Sequence, residues 1–278
     1  MQQNAALWFE TRGEKQDSTV VLLHGFTGSH FTWDRLCKRL LDSHFLIVPD
    51  LPGHGKSSTA PAMSVDQISN SILGLLDDLR IDKTALLGYS MGARIALNFA
   101  TRYQDRLSCL ILESGSPGIR DRREREERRL KDESLAKDIE HYGLDWFVEK
   151  WENLELFATL KNLDQDTHLR IKNERMSNTS SGLAKSLKSA GTGTMQPMWS
   201  ELGRLQVPVL LVVGEEDEKF VSIAKEMKKE IVTTDCVLKV LKNAGHAPHL
   251  ENYQMFECAV EEFLDDIYHE SVGGSDAK

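Results

Sequence analysis

Six short apolar segments, each ending in turn residues, alternate with helical patterns along this chain of 278 residues. They read TVVLLHG (19–25), HFLIVPD (44–50), TALLGYS (84–90), LSCLILES (107–114), VPVLLVVGEED (207–217) and CVLKVLKNAGH (236–246). Apolar runs of this length are typical of strands that are buried on both faces of a parallel sheet. Because helices separate the strands, we predict an α/β fold, a mostly parallel, doubly wound sheet whose ligands bind at the carboxyl ends of the strands.

Residues 118–200 interrupt this alternation, since they contain polar helical patterns and no good strand. We expect them to form a helical lid above a core of residues 1–117 and 201–270. The small polar residues 271–278 are expected to be a disordered tail. Within the insertion, residues 120–133 mix charges of both signs at helical spacing, which favours a solvated helix over a disordered or nucleic-acid-binding arm.

The bulk composition limits the partners of the protein. A formal net charge of −9 disfavours nucleic acid and acidic membranes. The N-terminus shows no signal-peptide pattern, and no apolar run approaches the roughly 18 residues of a membrane span. Scattered cysteines without CxxC spacing indicate reduced thiols, so we expect a cytoplasmic protein. We also expect it to be a monomer or weak homo-oligomer. These cysteines are Cys37, Cys109, Cys236 and Cys258.

The stretch 88–92 matches the pattern G-x-S-x-G, with Ser90 at its centre. The pattern alone is common, but here an apolar strand precedes it and an amphipathic helix follows it. That context is typical of a nucleophile elbow, a strained turn that exposes the serine hydroxyl above the sheet. The alternative interpretation is a serine that merely caps the helix.

A serine hydroxyl reacts at neutral pH only when a histidine accepts its proton and a carboxylate orients that histidine. Asp217 and His246 follow later strands in the order Ser, Asp, His that this arrangement requires. Glu215 and Glu216 remain alternatives for the acid, and His249 is an alternative for the base. A metal site at the two histidines is rejected, because neither a third ligand nor HExxH spacing accompanies them.

The loop after the first buried strand, HGFTGSHFTW, supplies the remaining catalytic element. Gly25 allows a close backbone approach, so the N–H groups of Phe26 and Met91 are predicted to form an oxyanion hole. Ordinary turn glycines at Gly25 and Gly28 are compatible with this role. The segment DLPGHGKSS is not a phosphate-binding P-loop, because Asp50 stands where that motif requires glycine.

Five motifs, in their order and spacing, resemble those of the α/β-hydrolase superfamily over almost the whole chain. They are HGFTGS, DLPGHGKS, GYSMG, GEEDEKF and NAGHAPH. This resemblance implies that the lid is inserted after the sixth strand of the sheet. Serine at the elbow argues against the dehalogenases and epoxide hydrolases, which carry aspartate there.

Residues 18–267 more closely resemble the 2-succinyl-6-hydroxy-2,4-cyclohexadiene-1-carboxylate synthases of menaquinone biosynthesis. The resemblance rests on GYSMGAR, ESGSPGIRDRREREERR, KWENLELFATL and NERMSNTSSGLA. It implies that Tyr89 stabilises anionic charge and that substrate carboxylates bind Arg94, Arg128, Arg175 and Trp151. Ala93 and Ser116 depart from the family pattern without removing a required group. The register of the lid arginine stays open, since several are available: Arg120, Arg122, Arg123, Arg125, Arg128 and Arg129.

The resemblance implies a lyase that releases pyruvate from a small substrate with three carboxylates. We expect no cofactor, because the sequence has no G-x-G-x-x-G after a strand, no metal-ligand spacing and no phosphate loop. Guanidinium groups pair with carboxylates through two parallel hydrogen bonds, which suits Arg94 one helical turn after Ser90. From spacing alone, Arg94 is equally well a surface residue of an amphipathic helix. Two functional alternatives remain: a serine hydrolase acting on a small anionic ester, thioester or C–C bond, and a non-catalytic ligand-binding protein.

Overall fold

The computed structural model describes residues 2–4, 7–16, 18–233 and 235–273, and eight strands in these ranges form one sheet. The strands are β1 (Gln2–Asn4), β2 (Leu7–Arg12), β3 (Thr19–Leu23), β4 (Phe45–Pro49), β5 (Thr84–Tyr89), β6 (Leu107–Glu113), β7 (Val209–Gly214) and β8 (Cys236–Leu241). Their order across the sheet is β1-β2-β4-β3-β5-β6-β7-β8. The strands from β3 to β8 are parallel, whereas β1 pairs with β2, and β2 with β4, in antiparallel fashion.

The predicted α/β fold class is confirmed, and each of the six apolar segments contains one of the parallel strands. The two antiparallel strands at the edge were not predicted. Their sequence signal is weak because β1 has three residues and the six positions of β2 include buried, half-buried and exposed ones. A strand of such mixed exposure lacks the continuous apolar run that marks a central parallel strand.

Helices cover both faces of the sheet, as expected for a doubly wound arrangement. In the described ranges the α-helices are α1 (Asp34–Leu40), α2 (Val65–Asp78), α3 (Met91–Tyr103), α4 (Arg122–Glu152), α5 (Gln165–Met176), α6 (Ser180–Ala190), α7 (Glu218–Glu230), α8 (Pro248–Glu251) and α9 (Tyr253–Gly273). Short 3-10 helices span His30–Trp33, Gly55–Ser57, Gln104–Arg106, Glu155–Asn162 and Trp199–Arg204. In the described part of the chain, no helix is long and apolar enough to cross a membrane.

Alternate residues of the strands face two separate cores. On β3, Val21 and Leu23 pack with α2, α3 and α7, while Val20 and Leu22 pack with α1 and α9. Because side chains alternate along a strand, one continuous apolar run supplies both cores. The sheet is thereby fixed between two helical layers, and the ends of its strands become a rigid base for a site.

Helices α4, α5 and α6 lie between β6 and β7, within residues 118–200, which we call the helical insertion. Helix α4 bends at Gly143, where φ is 86°, and contains the charge-rich stretch as a helix with exposed ion pairs. Ala136, Phe147 and Leu183 belong to a small apolar core shared by α4 and α6. The division into core and lid domains stays a prediction.

The helical insertion contacts the core by a close approach of two glycines. A Cβ atom on Gly53, whose φ is 86°, would lie 2.4 Å from the carbonyl oxygen of Gly182. A Cβ atom on Gly182 would lie 2.3 Å from the carbonyl oxygen of Gly53. Nearby, the Asn178 amide donates to the Thr27 carbonyl at 2.9 Å. Main-chain contacts therefore fix the insertion over the strand ends.

Of the predicted tail, residues 274–278 lie outside the described residues. Residues 271–273 belong to the last turn of α9, which ends at Gly273.

Candidate active site

Ser90 lies in the sharp turn between β5 and α3, with φ 50° and ψ −100°. This conformation is costly for a residue other than glycine and is typical of a functional turn. Two flanking glycines make the turn possible. A Cβ atom on Gly88 would lie 2.3 Å from the Gly92 carbonyl oxygen, and one on Gly92 would lie 2.2 Å from the Leu23 carbonyl oxygen. The strand and helix thus approach too closely for any side chain at these positions.

The structure brings the three predicted catalytic side chains into hydrogen-bond contact. Ser90 Oγ lies 3.0 Å from His246 Nε2, and His246 Nδ1 lies 2.7 Å from Asp217 Oδ2. The other oxygen of Asp217 accepts the backbone N–H of Phe220 at 3.2 Å. Because a carboxylate only accepts, His246 carries its proton on Nδ1, which leaves Nε2 free to accept the proton of Ser90. This arrangement can deprotonate the serine.

The alternative acid and base residues lie elsewhere. Glu215 and Glu216 are exposed, whereas Asp217 is 8% exposed beside the imidazole. His249 is buried, and its Nδ1 and backbone N–H each lie 2.9 Å from Glu113 Oε1. These positions favour Asp217 and His246 in the roles of acid and base.

A cavity of about 330 Å³ opens above Ser90, between the strand ends and the helical insertion. Its volume is at the lower end of the range for small-molecule sites. Most of the predicted site residues line it: Phe26, Tyr89, Ser90, Met91, Arg94, Arg128, Trp151 and His246. Asp217 lies behind His246. The cavity therefore joins the reactive serine to charged groups on both the core and the insertion.

Arg94 lies in the wall of this cavity without an acidic partner among the described residues. Its Nη1 donates to the Ala190 carbonyl at 2.9 Å and contacts the Met195 sulfur at 3.5 Å. Burial, and next the positive charge of Arg128, lower the pKa of Arg94 to about 10. The guanidinium remains charged at neutral pH, and burying this charge without a counter-charge is unfavourable. An anionic ligand beside Arg94 would supply that counter-charge. A surface arginine would not have these surroundings.

Two further cations line the same cavity. Arg128, on α4, pairs with Asp132 at 2.8 Å but keeps 41% of its side chain exposed. Lys219, in the first turn of α7, has no carboxylate partner in the described part of the chain. No aspartate or glutamate is among the described residues that line the cavity. The cavity lining therefore carries three cationic side chains, one of them paired with Asp132, in a chain of net charge −9.

Arg175 does not line the cavity that contains Arg94, Arg128 and Lys219. Its Nη1 donates to Glu152 at 3.2 Å, and its guanidinium lies 5.6 Å from the centre of the Phe157 ring. It lines a separate cavity of about 40 Å³ that does not include Ser90. Phe157 and Tyr89 line both cavities, so these two residues belong to the wall that the cavities share.

Aromatic rings form the apolar side of the cavity. The Trp151 ring packs 5.2 Å from Phe26 and 5.6 Å from Phe157, between ring centres. Its indole N–H is buried and has no hydrogen-bond partner in the described structure. Burial, and next the charge of Glu113, raise the pKa of Tyr89 well above its usual value. The Tyr89 hydroxyl therefore remains neutral, and the centre of its ring lies 5.6 Å from that of His246.

The two predicted oxyanion-hole residues flank the serine. Phe26 and Met91 both line the cavity, and neither backbone N–H has an acceptor in the described part of the structure. Gly25 is required here, since a Cβ atom would lie 2.6 Å from the Tyr89 ring. The two N–H groups are thus available to an anionic oxygen near Ser90.

The segment DLPGHGKSS forms a loop closed around its own carboxylate. Asp50 Oδ1 accepts the backbone N–H of His30 at 2.6 Å, and Oδ2 accepts that of Lys56 at 2.8 Å. A P-loop leaves its backbone N–H groups free to bind phosphate. Here Asp50 already accepts hydrogen bonds from such groups, so the loop does not resemble a phosphate site. In the described residues no group of three or more acidic, histidine or cysteine side chains is arranged to hold a metal ion.

Lys219 and Phe157 are site residues that the sequence analysis missed. Lys219 lies two positions after Asp217, at the start of the helix that follows β7. Its closeness to a predicted catalytic residue was therefore a sequence signal that could have identified it. Phe157 lies on the 3-10 helix Glu155–Asn162 of the insertion, and its place beside His246 depends on how the insertion packs.

Comparisons with known proteins agree with this architecture. A model of the alpha/beta hydrolase fold family matches residues 18–253. A Bacillus subtilis protein, provisionally named 2-succinyl-6-hydroxy-2,4-cyclohexadiene-1-carboxylate synthase, is 40% identical over 92% of this chain and 93% of its own length. The synthase of that name from Serratia proteamaculans is 30% identical over 91% of this chain and 95% of its own length.

Two solved structures are also similar to this chain. The structure of MenH from S. aureus has a TM-score of 0.89 and 34% identity, covering 95% of this chain and all of that one. A malate-bound thermophilic esterase from Thermogutta terrifontis has a TM-score of 0.81 and 26% identity, covering 94% of this chain and 93% of that one.

Proposed function

We infer that this chain, which belongs to the α/β hydrolase family and resembles its 2-succinyl-6-hydroxy-2,4-cyclohexadiene-1-carboxylate synthases, is a lyase of menaquinone biosynthesis. The proposed reaction eliminates pyruvate from 2-succinyl-5-enolpyruvyl-6-hydroxy-3-cyclohexene-1-carboxylate. The observation that carries the proposal is the cavity beside Ser90, which contains Arg94, Arg128 and Lys219 and no acidic side chain. The cationic side chains of the cavity equal in number the three carboxylates of this substrate.

The charge of the cavity distinguishes this substrate class from neutral esters. A pocket for a neutral acyl chain is mostly apolar and gains nothing from a guanidinium without an acidic partner. Arg94 is such a guanidinium, and no acidic residue of the described cavity lining neutralises it. Binding a carboxylate there would supply charge-assisted hydrogen bonds that the free protein lacks.

In the proposed mechanism, His246 accepts the proton of Ser90, and Asp217 stabilises the resulting imidazolium. The serine alkoxide then removes a proton from the ring of the substrate. A ring C=C bond forms as the C–O bond to the enolpyruvyl group breaks, and the departing enolate gains a proton to become pyruvate. The N–H groups of Phe26 and Met91 stabilise charge that develops on the substrate.

The remaining groups position the substrate rather than transfer protons. We propose that Arg94, Arg128 and Lys219, which all line the cavity, hold the carboxylates. Trp151 packs its ring on the apolar side of the cavity, and we propose the neutral Tyr89 hydroxyl as a further hydrogen-bond donor. We propose that the helical insertion acts as a lid that excludes water from the alkoxide, which would otherwise be protonated.

A serine hydrolase is the second candidate, and the observation that supports it is the geometry around Ser90. A hydroxyl 3.0 Å from a histidine, with two N–H groups beside it, serves equally well as a covalent nucleophile. The hydrolase would form an acyl-enzyme with water as the second substrate, whereas the lyase forms no covalent intermediate.

One experiment separates the two. The purified protein is mixed with the enolpyruvyl substrate, and free pyruvate is measured alongside the mass of the protein. The lyase releases one pyruvate per substrate consumed, with no mass added to Ser90. A burst of alcohol from an activated anionic ester, with a stable acyl group on Ser90 and no pyruvate from the enolpyruvyl substrate, would establish the hydrolase instead. We place the reaction in the cytoplasm, on a small-molecule substrate.

A further inference from the structure

His246 belongs to the short segment between β8, which ends at Leu241, and α8, which begins at Pro248. This segment has no regular secondary structure, so helix or sheet hydrogen bonds do not hold it. The imidazole nevertheless has to stay within hydrogen-bond distance of both Ser90 and Asp217. Some other contact must therefore fix its backbone.

Glu251, at the end of α8, makes that contact through both oxygens of its carboxylate. Oε2 accepts the backbone N–H of Gly245 at 2.9 Å, and Oε1 accepts the backbone N–H of Ala247 at 2.9 Å. These two N–H groups flank His246 on either side. In the described part of the chain, Glu251 has no lysine or arginine partner, so its charge is directed to the backbone of this segment alone.

A second carboxylate fixes the same segment further along. Glu113, which is fully buried at the end of β6, accepts the backbone N–H of His249 at 2.9 Å. The backbone N–H of Ser90 in turn donates to the carbonyl of Glu113 at 2.9 Å. The segment that carries the base is thus tied to the strand beside the nucleophile.

We propose that Glu251 is a positioning residue that sets the orientation of His246 by holding the peptide groups on both sides of it. The inference rests on the proposed role of His246 as the base. A carboxylate is required because it offers two acceptors, whereas the amide of glutamine offers one acceptor and a donor that would face an N–H. Glu251 does not line the cavity, so it acts on the reaction only through His246.

The test compares Glu251→Gln with Glu262→Gln, an isosteric control on the exposed face of α9. We expect Glu251→Gln to lower kcat for pyruvate release by about tenfold to a hundredfold, because small displacements of a catalytic group carry penalties of that size. KM should stay within about twofold, since no substrate-binding group changes. The control should leave both constants unchanged, and Glu251→Asp should recover little, because its shorter side chain cannot reach both N–H groups.

Two further measurements do not depend on the native reaction. The first is the downfield proton resonance of the His246–Asp217 hydrogen bond, which should shift or broaden in Glu251→Gln. The second is the rate at which phenylmethylsulfonyl fluoride modifies Ser90, which should fall in parallel with kcat. Thermal unfolding of each variant shows that the fold is retained.

The outcomes separate this inference from the proposed function. If the unmodified protein releases no pyruvate, the proposed function fails, and the resonance and the Ser90 modification rate still decide the role of Glu251. If Glu251→Gln leaves the resonance and the modification rate unchanged, the positioning role is overturned whatever the protein does to the substrate. A fall in kcat that is fully accompanied by loss of folded protein would also overturn it.

Discussion

Glu174, on α5 of the helical insertion, accepts two hydrogen bonds from Ser29 on the loop that follows β3. The backbone N–H of Ser29 lies 2.9 Å from Glu174 Oε1, and its hydroxyl lies 3.0 Å from the same oxygen. The hydroxyl of Thr32 also donates to Oε1, at 2.6 Å. One carboxylate therefore ties the insertion to the loop that carries Phe26.

This buried carboxylate predicts a pH-dependent stability. Burial raises the pKa of Glu174 above the usual 4.5 of a glutamate. Between the usual and the raised value, the folded state holds a proton that the unfolded state has lost, so stability falls as pH rises through that window. Glu174→Gln keeps the acceptor oxygen and cannot ionise. As pH rises above about 4.5, we expect the melting temperature of the variant to increase relative to that of the unmodified protein.

Thermal unfolding at a series of pH values checks this expectation. Glu155→Gln, on the exposed side of the insertion, is the control and should follow the unmodified protein at every pH. A constant difference in melting temperature between Glu174→Gln and the unmodified protein would show that this carboxyl does not titrate in the window.

The three catalytic side chains should contribute mainly to turnover. Ser90→Ala, Asp217→Asn and His246→Ala are each expected to lower kcat by about 10²- to 10⁴-fold, the usual contribution of a positioned proton transfer. KM should change little because none of them is a carboxylate ligand. Steady-state pyruvate release provides both constants, with the exposed His141→Ala as a neutral control. Retention of kcat in Ser90→Ala would contradict the alkoxide mechanism.

Arg94 should show opposite effects on binding and stability. Arg94→Met removes a partly buried charge that has no acidic partner, so we expect an equal or higher melting temperature. The same change removes a carboxylate ligand and should raise KM about tenfold or more, with a smaller effect on kcat. Arg102→Met, on the exposed face of α3, serves as the control. An unchanged KM in Arg94→Met would remove Arg94 from the substrate site.

Lys219 should contribute to binding in a salt-dependent way. Its side chain is exposed at the cavity, where added salt screens charge interactions. We expect Lys219→Gln to raise KM about threefold to tenfold in low salt and to weaken the dependence of KM on ionic strength. Lys225→Gln, an equal charge change on the same helix outside the cavity, should match the unmodified protein. Identical salt profiles for the two variants would refute the assignment.

The sequence was sufficient for those parts of the site that depend on local structure. Ser90, Asp217 and His246 each follow a buried apolar strand, and parallel strands bring their carboxyl ends to one edge. Choosing Asp217 over Glu215 and Glu216 required the structure, because a shift of one residue exchanges a buried position for an exposed one.

Long-range packing accounts for what the sequence did not predict. The orientation of α5 places the Arg175 guanidinium beside Glu152 rather than in the cavity of Ser90, which Lys219 lines although the sequence did not predict it. That orientation depends on contacts between segments more than a hundred residues apart, such as Glu174 with Ser29. No periodicity within the insertion carries this information.

The contact between Gly53 and Gly182 determines how far the insertion stands above the sheet. The two main chains meet there without an intervening side chain. The distance between the insertion and the sheet, and with it the height of the space open to a ligand, is therefore set by backbone contact rather than by side-chain size. A larger residue at either position would push the insertion away from the sheet. The two glycines therefore constrain each other although they are far apart in the chain, at positions 53 and 182.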